Sequence, residues 1–352
     1  MEHKTALSRR NFNQMILTST AGLGLLSACQ RLPGRVSEGP ESSDLIFPPK
    51  LIKGSRVALI APASYANEEK IQKAVENLES LDLVVEEGKY LREENGFIGG
   101  TDGQRVEEIH TMFRRKDIDG IWCVRGGYGT TRIQSMLDYD LIRSHPKIFV
   151  GYSDITALHQ AFYTQAGLVS FHGPVGSSDF TPYSLESIRA ALFGEHYQYT
   201  VSPAEQAMEG EEVFQILHSG RATGPLLGGN LTLLTAMCGT AYLPDLTGKI
   251  VFIEDIGEDS YRIDRMLVQL IEAVHLKQAA GLIFGNFTNC NPEEGSTDQT
   301  VQEVIHHHFS ALDIPVVTGY SIGHISQNAT LAVGMMVELD GDSGTIRFSE
   351  RG

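Results

Sequence analysis

The 352-residue chain carries 28 Lys and Arg against 44 Asp and Glu, a formal net charge of −16 with histidine neutral. So acidic a chain argues against nucleic acid as a partner and against a basic membrane-binding face. Of its four cysteines, Cys123, Cys238 and Cys290 stand isolated and odd in number, which speaks against a disulfide framework or a zinc site.

Residues 1–29 read MEHKTALSRRNFNQMILTSTAGLGLLSAC. The basic start contains Arg9-Arg10, and the apolar run from Met15 to Ala28 is too short and too rich in Gly, Ser and Thr to span a bilayer. The order of features resembles a twin-arginine export signal ending in a lipoprotein box, with Cys29 as the lipidated residue. The competing reading is a buried N-terminal helix with an incidental cysteine. Lipidation predicts an exported protein that faces the periplasm or cell exterior and is held to a membrane by its lipid anchor. Each acyl methylene buried would contribute about 0.8 kcal/mol. Gln30, rather than Asp, after the cysteine favours the outer membrane where there is one. Residues 30–49, rich in Pro, Gly, Ser and Glu, read as a flexible tether.

From residue 55 the pattern alternates. Apolar runs at Val57–Ile60, Gly120–Val124, Ile148–Val150, Ile250–Ile253, Gly281–Phe284 and Pro315–Val317 predict buried strands. Helical stretches fall between them at Glu68–Leu81 and Gln104–Phe113. The segment SYRIDRMLVQLIEAV (260–274) places Ile263, Met266, Leu267, Leu270, Ile271 and Val274 on one helical face. Continuous apolar strands followed by small-residue turns predict a largely parallel α/β fold. Residues 195–224 break the alternation and read as a linker between an N-terminal domain (50–194) and a C-terminal domain (225–352). Two domains suit a chain of this length.

Several positions could carry chemistry. Arg125, Gly126, Gly127 and Gly129 follow a strand directly; without the P-loop lysine and hydroxyl, this loop matches a phosphate site poorly. Such glycines also permit close backbone approach to a reacting oxygen. In FVGYSDITALHQ (149–160), Ser153 is either the cap of the following helix or a nucleophile on a strand-to-helix elbow. His159 reads as core or surface, and His306–His308 as a run on a helix. His172 and His324 each follow an apolar stretch in a Gly-rich loop, where α/β folds place function. Glu254-Asp255 end a strand and read equally as a catalytic acid or as a cluster at the next helix start.

Seven segments, taken in order, resemble the LD-carboxypeptidases and their microcin-immunity relatives. They are GFIGGTDGQR (96–105), IWCVRGGYGTTRI (121–133), HPKIFVGYSDITALH (145–159), FHGPVG (171–176), GPLLGGNLTLL (224–234), GKIVFIEDIGEDSYRIDRML (248–267) and TGYSIGHISQNATLAVG (318–334). The resemblance implies a flavodoxin-like or glutamine-amidotransferase-like N-terminal sheet domain and a smaller C-terminal α/β swivelling domain. It also implies a catalytic triad of Ser153, Glu254 and His324, with Glu254 and His324 in the C-terminal domain. The oxyanion hole would come from the N–H of Asp154 and of Gly126 or Gly127, with no cofactor or metal. The expected substrate is a peptidoglycan tetrapeptide that loses its terminal D-alanine, and the expected assembly is a homodimer. Arg125, Arg262 and Arg265 are candidates for the substrate carboxylate, since guanidinium pairs with carboxylate in a fork. Ala332 stands where the family usually has proline. Alternatives are a microcin-immunity-like serine peptidase or a non-catalytic peptide-binding lipoprotein.

Overall fold

The computed structural model describes residues 39–40, 44–293 and 295–350. The expected signal at 1–29, with Cys29, lies outside the described residues, as does most of the expected tether. In chain order the strands are β1 (Arg56–Ile60), β2 (Val84–Glu87), β3 (Gly120–Cys123), β4 (Ile148–Gly151), β5 (Ser170–His172), β6 (Tyr199–Val201) and β7 (Gln215–His218). They continue with β8 (Arg221–Asn230), β9 (Ile250–Ile256), β10 (Gly281–Thr288), β11 (Val316–Thr318), β12 (Leu331–Val333), β13 (Met336–Asp340) and β14 (Thr345–Ser349). The helices are α1 (Glu68–Glu79), α2 (Asp102–Arg114), α3 (Tyr139–Ser144), α4 (Thr156–Ala161), α5 (Pro182–Leu192), α6 (Leu231–Ala236), α7 (Ser260–Val274) and α8 (Val301–Phe309).

The strands form two sheets. The first has the order β12-β5-β4-β3-β1-β2, and every pairing in it is parallel except that of β12 with β5. The second has the order β6-β14-β13-β8-β9-β10-β11-β7, with a parallel centre from β8 to β11 and antiparallel flanks. Every residue of β3 and β4 is buried, which explains their unbroken apolar sequence: a parallel strand is covered on both faces. On one side of the first sheet, Ile121 and Phe149 pack with Ile109, Phe113 and Phe162. On the other, a single core joins Val57, Trp122 and Phe171 to Phe252, Phe284 and Val337 of the second sheet.

Local chemistry sets the helix ends. α2 begins at Asp102, two residues before the apolar periodicity, because Thr101 and Gln104 form a capping box: Gln104 N–H donates to Thr101 Oγ1 at 3.2 Å and Thr101 N–H to Gln104 Oε1 at 2.8 Å. α7 spans the expected residues and buries Ile263, Met266, Leu267, Leu270 and Val274.

Three boundaries differ from the sequence reading. Residues 195–224 are not a linker: they hold β6, β7 and the start of β8, the first two being the outermost strands of the second sheet. β6 is only three residues long and β7 is exposed or half-buried throughout, so neither shows as an apolar run, which hid them. The segment 225–352 is not confined to the second sheet, since Leu331, Ala332 and Val333 pair with His172, Phe171 and Ser170 of β5. The end of the expected tether is packed: Ile46 N–H donates to Gly167 O at 2.7 Å, and Tyr197 OH to Pro48 O at 2.9 Å.

Candidate active site

β4 ends at Gly151, and two residues later Ser153 takes a left-handed φ of +65° before the chain turns into α4. A non-glycine residue there stores strain of about 1–3 kcal/mol, which surrounding contacts must hold. One such contact is Gly126, whose backbone lies so close that a Cβ on it would sit 2.9 Å from Ser153 Cβ. The Ser153 hydroxyl makes no capping bond; it lies 2.9 Å from His324 Nε2.

His324 reaches the serine from the loop between β11 and β12, where the chain crosses from the second sheet to the first. Thr288 Oγ1 donates to its carbonyl at 3.1 Å, and Gly323 N–H donates to Asn328 Oδ1 at 3.1 Å. Gly323 has φ +118°, and any Cβ there would meet Glu254 Oε2 at 2.9 Å, so the loop needs glycine to approach the acid. Glu254 is fully buried on β9, and its Oε2 lies 2.7 Å from His324 Nδ1. The carboxylate can only accept, so Nδ1 carries the hydrogen and Nε2 presents a lone pair to the Ser153 hydroxyl. Burial disfavours the imidazolium of His324, but the charge and hydrogen bond of Glu254 outweigh it and raise its pKa above 6.5. This is the geometry in which a serine loses its proton to an imidazole oriented by an acid.

The neighbouring acids do other work. Asp255 accepts from Asn230 Nδ2 at 2.8 Å, Thr232 N–H at 3.0 Å and Thr232 Oγ1 at 2.9 Å, which ties β9 to the start of α6. Burial, and then the charge of Glu254, push its pKa up to about 6. Asp154 accepts from Thr130 N–H at 2.9 Å through its carboxylate and from Thr130 Oγ1 at 2.5 Å through its carbonyl. Its side chain thereby binds the glycine loop to the elbow and leaves its backbone N–H beside Ser153. Gly126 is half-buried and Gly127 exposed.

The other histidines separate from this group. His159 is buried between Ser170 Oγ and Gly151 O, both at 2.8 Å, and burial lowers its pKa to about 4. His172 is also buried, its ring 5.9 Å from that of Tyr152. His308 pairs with Asp264 at 2.6 Å.

Of the arginines, Arg262 is paired with Glu258 and Asp259, and Arg265 lies over the Tyr261 ring. Arg125 donates to Tyr65 O at 3.3 Å. Tyr152 went unweighed in the sequence although it sits inside the G-Y-S-D segment: its ring lies 4.9 Å from that of His324. It lines a cleft of about 540 Å³ with Lys73, Ser177, Ser178, Asp179, Asn289 and His324. The strand-end position of Tyr152 was legible, but its contact with His324 was not.

Residues 57–173 match the LD-carboxypeptidase N-terminal domain and residues 223–339 the LD-carboxypeptidase C-terminal domain. A probable murein peptide carboxypeptidase of Bacillus subtilis is 39% identical over 289 residues, covering 82% of this chain and 89% of that protein. The muramoyltetrapeptide carboxypeptidase of Oxalobacter formigenes superposes with a TM-score of 0.73 at 31% identity, covering 84% of this chain and 98% of that one. An MccF-like protein from Bacillus anthracis superposes with a TM-score of 0.76 at 29% identity, covering 86% and 99%. Matches over both halves of the chain, in sequence and in fold, make this protein a member of the LD-carboxypeptidase family and a carboxypeptidase.

Proposed function

We propose that the enzyme removes the terminal D-alanine from peptidoglycan tetrapeptides through a Ser153–His324–Glu254 triad and an acyl-enzyme. The unbroken chain of contacts at 2.9 and 2.7 Å carries this reading. Ser153 Oγ attacks the carbonyl before the terminal residue while His324 Nε2 takes its proton. The imidazolium then protonates the leaving amine, and free D-alanine departs. Water, deprotonated by the same imidazole, hydrolyses the ester and restores the serine. Glu254 holds the productive tautomer and stabilises the imidazolium. Proton transfer of this kind contributes roughly 10²–10⁴-fold. The N–H groups of Asp154 and Gly126 are the proposed oxyanion donors, each worth on the order of 10²–10³-fold.

The names of the Bacillus subtilis and Oxalobacter formigenes proteins favour a murein peptide as substrate, and the likeness to an MccF-like protein keeps a peptidyl nucleotide as the second reading. The twin-arginine pair and Cys29 support export and a lipid anchor, which would separate the enzyme from cytoplasmic nucleotides. A homodimer is proposed on the family resemblance alone. The test is to incubate the protein with a muropeptide tetrapeptide and detect tripeptide and free D-alanine by mass spectrometry. Cleavage by wild type and none by Ser153→Ala is expected; equal cleavage by both would remove Ser153 as nucleophile.

A further inference from the structure

Two loop histidines stand out in the sequence, His172 and His324, and the proposed triad uses only the second. His172, at the end of β5, is fully buried, and neither of its ring nitrogens has a hydrogen-bond partner among the described residues. Burial, and then the neighbouring histidines, hold its pKa well below 6.5, so the ring is neutral. What it does make is ring contacts. Its centroid lies 4.9 Å from that of Phe252 on β9, at 75°, and 5.9 Å from that of Tyr152, at 67°. The Tyr152 ring in turn lies 4.9 Å from that of His324, tilted by 60°. A row of rings thus runs from the buried face of β9 to the imidazole beside Ser153.

That imidazole needs such a contact. Its loop bends through Gly319 and Gly323, at φ +63° and +118°, so no helix or strand fixes the ring. Glu254 and Ser153 meet it at Nδ1 and Nε2. Hydrogen bonds at those two atoms fix a line through the ring but leave it free to swing about that line. An aromatic ring packed against it removes this freedom. Tyr152 is placed to do so by its position in the chain. It lies between Gly151, the end of β4, and the left-handed Ser153, in an extended backbone with φ −148° and ψ −174°. The residue that aims the hydroxyl and the residue that stops the imidazole are therefore chain neighbours.

We infer that Tyr152, backed by His172 and Phe252, is a positioning residue that holds the His324 ring in line with both Glu254 and Ser153. This inference rests on the triad reading of the site but not on which peptide is cleaved. It has a consequence for titration. The charged groups that face His324 are Glu254 and Asp255 of β9, with Lys73, Asp179, Glu209 and Glu211 around the cleft. Burial lowers the pKa of His324, and the charge and hydrogen bond of Glu254 more than offset it. A ring free to swing keeps less of that bond, so its pKa falls.

The pKa of His324 is read by NMR on protein labelled at histidine Cε1, the signal being assigned by its loss in His324→Gln. The kcat on a muropeptide tetrapeptide is measured beside it. Tyr152→Leu keeps an apolar side chain but removes the ring; it should move the His324 titration to lower pH and lower kcat by about ten- to a hundredfold. Tyr152→Phe returns the ring without the hydroxyl and should recover both. Dispersed histidine signals show that each variant is folded. An unmoved His324 titration in Tyr152→Leu would overturn the inference. An equal loss in Tyr152→Leu and Tyr152→Phe would also overturn it, by giving the role to the hydroxyl. Failure of wild type to release D-alanine, with the titration moving in Tyr152→Leu and recovering in Tyr152→Phe, would overturn the proposed reaction and leave the positioning role standing.

Discussion

Gly126 and Ser153 lie in contact across the ends of β3 and β4: a Cβ on the glycine would come within 2.9 Å of the serine Cβ and 3.2 Å of its Oγ. The strained elbow and the glycine loop therefore pack directly on each other, with no room for a side chain between them. Gly126→Ala should displace Ser153 from His324 and lower kcat by roughly a hundredfold, since a misplacement of about 1 Å can cost that much. The thermal midpoint should fall far less than in a core truncation. Steady-state kinetics with a melting curve check both, and an unchanged kcat would show that the elbow tolerates the methyl group.

Glu254 and Asp255 are adjacent but should fail differently when truncated. Glu254→Ala removes the partner of His324 Nδ1 and should lower kcat by about 10²–10⁴-fold, in the range of a lost general-base arrangement. Asp255→Ala leaves the donors of Asn230 and Thr232 without their acceptor, which should cost about 1–3 kcal/mol of stability. Denaturant unfolding and kcat, measured on both variants, should show opposite rankings.

In the proposed mechanism His324 must be neutral to accept the serine proton. Its pKa is raised because the charge and hydrogen bond of Glu254 outweigh burial. The acidic limb of kcat/KM should therefore lie above the usual imidazole value of about 6.5. Glu254→Gln removes the charge, so in that variant the limb should move to lower pH while the plateau falls. For stability the direction is opposite: a raised pKa in the folded state stabilises the fold below the unfolded value and is lost as pH rises through the folded one. A pH–rate profile of wild type and Glu254→Gln tests the first statement directly.

On the proposed lipid anchor, Cys29→Ser should abolish incorporation of labelled palmitate and release the protein from membranes. Fractionation of cells expressing each form checks this. A palmitate-labelled, membrane-bound variant would show that another residue carries the lipid.

Much of the fold was legible because parallel strands, covered on both faces, must be continuously apolar; β1, β3, β4, β9 and β10 each announce themselves in this way. α7 was legible through its apolar face, and the start of α2 was missed by two residues because a capping box, not apolar periodicity, begins it. β6 and β7 were illegible for the converse reason: as edge strands they are short, three and four residues, and β7 is exposed or half-buried throughout, so neither forms an apolar run and the polar residues around them read as a linker. In the site, the resemblance supplied residue identities and the structure supplied their relations. It brings Ser153, His324 and Glu254 together, gives Asp255 to α6 and Asp154 to the glycine loop, and occupies Arg262 with nearby acids.

The sequence by itself determined where the strands end in small, flexible turns and which of those turns carry a hydroxyl, an acid or an imidazole. It could not decide whether Ser153 caps a helix or faces a base, because that depends on a residue 171 positions away. Only the tertiary structure settles it. After β11 the chain leaves the second sheet, and Leu331–Val333 pair with β5 of the first, so the loop between them must pass over the elbow. That crossing is a long-range pairing with no local signature. It is also what brings His324 within hydrogen-bonding distance of Ser153.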